Sequence, residues 1–275
     1  MVLSFMPARA RMAAWIRRVS LLAAFVLPVM NVSAAPAVAL RTPVDHSAFD
    51  LLLRQHVVNG LVDYDAFGRS AEFSRYLALL DRVDPASLDD NERLAYWINV
   101  YNAYTIELVN RHKERASIRN INKSFGFLRL KGPWSEPLVR AAGRTLSLDD
   151  VEHRIIRKEF HDPRVHFALV CAALGCPPLR SEAYTGARLD AQLDDQARRF
   201  LLRSPEKNRV DVATGTVYVS MIFRLYRDDF GGTDASVGAF IARWYPEGAE
   251  RLLLQSGKYS LRETDYDWSL NGMRR

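Results

Sequence analysis

Apolar residues recur three and four positions apart over several stretches, and each such stretch predicts a helix. The longest runs from Asn91 to His112, where Leu94, Trp97, Ile98, Tyr101, Leu108 and Val109 share one wide arc. Shorter helical patterns run from Ser47, a candidate N-cap, to Val57, and from Ser70 to Val83. Others run from Ala187 to Arg203, from Met221 to Asp229 and from Ala235 to Tyr245. Ser147-Leu148-Asp149-Asp150 resembles a capping box and predicts a helix reaching Phe160, stopped by Asp162-Pro163. Strand signals are short. Leu61 to Tyr64 follows an Asn59-Gly60 turn signal. Pro137 to Leu146 reads as a hairpin turning at Ala142-Gly143, and Arg209 to Ser220 as one around Thr214-Gly215. Tyr259 to Glu263 is a further strand candidate. Arg164 to Cys171 is a nearly continuous apolar run and predicts a strand covered on both faces. Asn122 to Trp134 is irregular. Helices early and late around a few strands predict an α+β fold, mostly helical, around a small sheet.

Some polar residues interrupt these apolar patterns. At 100° per residue, Glu152 points into the arc of Leu148, Val151, Ile155 and Ile156, with His153 just outside it. A carboxylate there must be paired or hydrogen-bonded, and Arg180 or Arg164 would serve. Asn102 lies at the edge of the long helix's arc and Asn99 just beyond it. A buried Asn either orients a catalytic His or bridges to loop backbone, the commoner use. His166 shares a face of the predicted strand with Ala168 and Val170 and reads as a core residue. His46, His56, His112 and His161 read as surface.

The loop from Cys171 to Arg180 follows that strand, and functional residues gather on loops at strand ends. Cys176 at a helix N-cap, with Pro177 in the first turn, would have a lowered thiol pKa and act as a nucleophile. Pro177 and Pro178, however, offer no N–H to an oxyanion. The other reading is a Cys171–Cys176 disulfide that clamps the loop.

The N-terminus bears on the compartment. Arg9, Arg11, Arg17 and Arg18 precede an apolar run from Val19 to Val32, and small residues follow at Ser33-Ala34-Ala35. This order predicts a cleaved signal peptide over residues 1–34, a single globular domain over 35–275, and a periplasmic or secreted location. That compartment permits the disulfide. The full chain has 38 basic and 32 acidic residues, net +6. Removing the leader's four arginines leaves 34 against 32, net +2. That balance gives no reason to expect nucleic acid, or a membrane surface once the leader is cut.

The chain resembles domain-of-unknown-function family 547. The resemblance rests on Leu94-Ala95-Tyr96-Trp97-Ile98-Asn99-Val100-Tyr101-Asn102-Ala103, Leu146 to His153, Asp162 to Cys171, Cys176-Pro177-Pro178-Leu179-Arg180 and Tyr266 to Asn271. It extends from about Gly60 onward, with Phe223-Arg224-Leu225-Tyr226 lacking a tryptophan expected before the tyrosine. It implies that Trp97, Asn99, Asn102, Glu152, His153, His166, Cys171 and Cys176 matter to the family, and it implies no reaction. Three functions follow. The first is a binding or structural module held by a disulfide and a buried polar network, with a peptide or protein ligand and no cofactor. The alternative is a cysteine-dependent acyl-transfer enzyme of papain or transglutaminase type, with Cys176, His153, His166, Glu152 and Asn102 as candidate catalytic residues. A metal site built from His153, His166, Glu152 and a thiolate ranks third. The free-thiol state separates the first two.

Overall fold

The computed structural model describes residues 43–122 and 132–273. The leader assigned to residues 1–34 lies outside them, as does most of the irregular stretch after Asn122. Helix α1 (Ser47–His56) leads into a hairpin of β1 (Val57–Val58) and β2 (Leu61–Val62). Asn59 and Gly60 both take positive φ, 51° and 85°, as a two-residue hairpin turn requires. Gly60 is fixed a second way, since a Cβ there would meet Pro178 at 2.5 Å. Ser47 begins α1 rather than capping it: its N–H is taken by Asp45 Oδ1. Helices α2 (Tyr64–Arg69) and α3 (Ala71–Leu80) follow, each with a side-chain N-cap, Asp63 and Ser70.

Helix α4 (Asp90–Arg111) is the central element. Every residue from Leu94 to Ile106 is buried, so the helix is enclosed all round rather than amphipathic. Strands β3 (Val139–Ala141) and β4 (Arg144–Leu146) form the hairpin at Ala142-Gly143. Ser147 and Asp150 then exchange backbone-to-side-chain bonds of 3.0 and 3.1 Å, the capping box expected there. What they open is a π-helical turn, Asp150–Ile156, followed by α5 (Arg157–Phe160).

The strand predicted over 164–171 is absent. Val165–Ala168 forms one helical turn, α6, and all four residues are buried. A short apolar run carries no periodicity that separates a covered strand from a buried helix. Pro177 and Pro178 lie outside any helix, so Cys176 is not an N-cap. Helix α7 (Leu189–Leu202), strands β5 (Arg209–Asp211) and β6 (Thr216–Val219), α8 (Ile222–Leu225) and α9 (Asp234–Ile241) match the predicted elements with trimmed ends. Helix α10 (Ala249–Ser256) was not anticipated, although Gly248 and Gly257 bracket it. It precedes β7 (Ser260–Glu263), which pairs parallel to β6.

The fold is thus α+β and mostly helical, and among the described residues the strands form three small sheets: β1-β2, β3-β4 and β5-β6-β7. One apolar cluster surrounds α4. A second gathers Phe167, Phe200, Phe223, Phe230 and Phe240. No helix among the described residues is long and apolar enough to cross a membrane.

Residues 264–272 run back across the domain. Their backbone bonds reach Ala116, Ala172, Leu174, Gly175 and Val62, at 2.8 to 3.0 Å. The Asn271 side chain adds bonds to the Tyr64 hydroxyl and the Gly60 carbonyl.

Candidate functional site

The π-helical turn places Glu152 inward, 6 % exposed, and leaves His153 at the surface. Neither Arg180 nor Arg164 reaches Glu152. Arg180 pairs with Glu182 and Asp195, and Arg164 with Asp162, Asp190 and Asp194. Glu152 instead bonds the hydroxyls of Tyr101, on α4, and Tyr226, at the end of α8. Burial first, and the Glu152 charge second, push both phenols far above their ordinary pKa, so both remain hydrogen-bond donors.

His166, on α6, is 3 % exposed and stacks on the Tyr226 ring at 3.8 Å. Its Nε2 lies 2.6 Å from Asp229 Oδ2. Arg157 also grips Asp229, through Nε at 2.7 Å and Nη2 at 2.9 Å. The His166 bond, and after the opposing cost of burial the Arg157 bonds, hold the Asp229 carboxyl far below its usual range. The other ring nitrogen of His166, Nδ1, is buried and has no partner among the described residues.

Cys171 and Cys176 form a disulfide. The Tyr266 hydroxyl lies 3.2 Å from each sulfur. A Cβ on Gly175 would meet the Tyr266 ring at 2.8 Å, so glycine lets that ring lie against the disulfide loop. With both sulfurs joined, neither is a thiolate, and acyl transfer would first require reduction. Replacing both cysteines by alanine is expected to cost about 2 kcal/mol, the loop-entropy value for so short a closed loop. Chemical denaturation of the oxidised protein and of the double variant measures this directly, and equal midpoints would refute it.

These groups border one cavity of about 170 Å³. Glu152, His153, His166, Cys171 and Cys176, all singled out from the sequence, line it. Asn102 does not. Its amide donates to Ala168 O at 2.9 Å and accepts from Val170 N at 3.0 Å, so it orients the backbone on either side of Leu169 and no histidine. Asn99 does the same for Tyr184, at 2.7 and 3.0 Å. Sequence reasoning missed Asp149, Trp134, Tyr226, Tyr266 and Trp268 as cavity residues, and Asp229 as the partner of His166. Tyr266 and Trp268 stood in a family motif, which was the available signal. Asp229 lies 63 positions from His166, where no local pattern connects them. His46, read as surface, is also buried at 3 % exposure, its Nδ1 bonded to the Tyr76 hydroxyl at 2.7 Å. Among the described residues no group of His, Cys, Asp and Glu could hold a metal ion.

Residues 85–201 match the model of a family described as "Protein of unknown function, DUF547". The resemblance read from the motifs therefore holds, over a narrower span than Gly60 onward. The DUF547 match takes in α4, the π-helical turn, α6 and the disulfide loop. It leaves outside it Tyr226, Asp229, Tyr266 and Trp268, which complete the cavity. No curated protein and no solved structure matches the chain.

Proposed function

We propose that this chain is an exported binding domain whose ligand site is the cavity between the π-helical turn, α6, α8 and the disulfide loop. The observation that carries this reading is a pair of unfilled hydrogen-bonding groups in its wall. His166 Nδ1 and the Trp134 Nε1–H are each buried without a partner among the described residues. Such groups are costly to leave unmade, and a ligand would satisfy them. The surrounding rings of Trp134, Tyr226, Tyr266 and Trp268 supply the apolar body of a binding site. The disulfide and the Asn102 bridge around Leu169 hold that wall in place. The tripartite leader and the disulfide support an oxidising compartment outside the cytoplasm.

A fragment screen by ligand-observed NMR tests the site. Leu225 lines the cavity and is 54 % exposed, so Leu225→Trp would block the cavity without disturbing the core. Fragments that bind the wild type are expected to lose binding in that variant. Equal binding to both, or no binding fragment, refutes the cavity as a ligand site. Cell fractionation with intact-mass analysis tests export, with a mature N-terminus expected near residue 34.

A further inference from the structure

The chemical class of the ligand follows from the charges in the wall, and this step rests on the cavity being a binding site. Two carboxylates face it, Asp149 and Glu152, both from the start of the same helical segment. Glu152 is 6 % exposed, and its bonds are to two neutral phenols. No Lys, Arg or His nitrogen lies within ion-pair distance of it among the described residues. The nearby cation, Arg157, lies over the Tyr226 ring at 5.1 Å and is engaged by Asp229 through two bonds and by His153 Nδ1 at 3.1 Å. Asp149 is half-buried and has no hydrogen-bond or ion-pair partner among the described residues. Its carboxyl is raised above the usual range, by burial above all, with Glu152 and Asp150 adding and His153 opposing.

A buried carboxylate with a second carboxylate beside it, and no ion-pair partner for either among the described residues, is stabilised when a cation enters the cavity. The rest of the wall suits a cation as well. Aromatic faces attract positive charge, and the Trp268 ring already holds the Arg119 guanidinium at 5.2 Å on one side. Its other neighbours are aromatic: Tyr266 at 4.6 Å and Trp134 at 6.3 Å between ring centroids. His166 is nearly fully buried with Nδ1 unpartnered among the described residues, and in its neutral Nε2–H form that nitrogen accepts one ammonium hydrogen.

We infer that the cavity receives an organic ammonium group, such as the end of a lysine side chain or of a small aliphatic amine. The carboxylate of Glu152 supplies the counter-charge, Asp149 reinforces it, and the tryptophan and tyrosine faces enclose the carbons. Size agrees: a water takes about 30 Å³ of liquid, so a cavity of about 170 Å³ has the room of nearly six waters. That space fits a head group and a few carbons, not a whole peptide.

The test uses three small probes on the oxidised full chain: n-butylammonium, 1-butanol and butyrate. Binding is followed by ligand-observed NMR and by tryptophan fluorescence, since Trp134 and Trp268 line the cavity. Butylammonium is expected to bind at least about tenfold more tightly than 1-butanol, and butyrate not at all. Glu152→Gln keeps an acceptor for both phenols, so the domain should stay folded, while ammonium affinity falls by about tenfold or more. Circular dichroism confirms the fold of that variant. Glu206→Gln, away from this cavity, should leave affinity unchanged. Equal or tighter binding of 1-butanol or butyrate overturns the charge assignment but leaves the cavity a ligand site. Unchanged ammonium affinity in a folded Glu152→Gln variant also overturns it. Failure of all three probes to bind overturns both.

Discussion

Substituting Asn102 by leucine is expected to lower the unfolding free energy by roughly 2–6 kcal/mol, because it strands two buried backbone groups at about 1–3 kcal/mol each. Those groups are the Ala168 carbonyl and the Val170 N–H, which the Asn102 amide now satisfies together. Leucine is close in size, so cavity formation adds little and the loss reports the polar bridge itself. A single domain has about 5–15 kcal/mol in total, so a loss at the upper end leaves little fold at 37 °C. Denaturant unfolding followed by circular dichroism gives the value. A loss below about 1 kcal/mol, within the range of ordinary surface changes, would mean that the α6 backbone finds other partners.

The second large effect is on acid. Burial drives the His46 imidazole from its ordinary value of 6.5 down to about 4, with Asp45 opposing only weakly. Its Nδ1 is bonded to Tyr76, and its Nε2 is buried without a partner among the described residues, none of which would hold a proton there. The unfolded chain takes up that proton near pH 6.5 and the folded chain only near pH 4. The stabilisation from keeping this ring neutral is therefore complete above pH 6.5 and lost as pH falls from 6.5 to 4. A shift of this size corresponds to about 3 kcal/mol. Unfolding free energies measured every half pH unit should show that decline in the wild type. In His46→Gln, which cannot take up a proton, the decline over this window should shrink by about the same amount. Parallel curves for the two proteins would assign the acid sensitivity to other groups.

Much of the fold is legible because its signals are local. The hairpins at Asn59-Gly60, Ala142-Gly143 and Thr214-Gly215 follow from turn chemistry, and the long helix from its caps and length. Arg164 to Cys171 misleads for a physical reason. The run itself is almost wholly apolar, so hydrophobicity alone does not set its period. Asp162-Pro163 did hold the answer. Read as the end of one helix, it is also the turn that leads into the next, where Asp162 Oδ1 accepts the Arg164 N–H at 2.9 Å. The cavity was half legible. Glu152 and the cysteines announce themselves by being polar or paired where the pattern is apolar. Their partners Tyr226 and Tyr266 look like ordinary core aromatics until the chain is folded.

The run of residues 264–272 across the domain has a consequence for biogenesis. Tyr266 and Trp268, two walls of the cavity, are carried by chain that emerges from the ribosome long after α4. The bridge from Val62 to Gly272 joins positions separated by nearly the whole domain, a contact that forms late because the intervening loop must close first. A nascent chain can therefore build α4, the hairpins and the disulfide loop while the cavity still lacks a side. That side is added only when the last residues pair with Val62, Ala116 and Ala172.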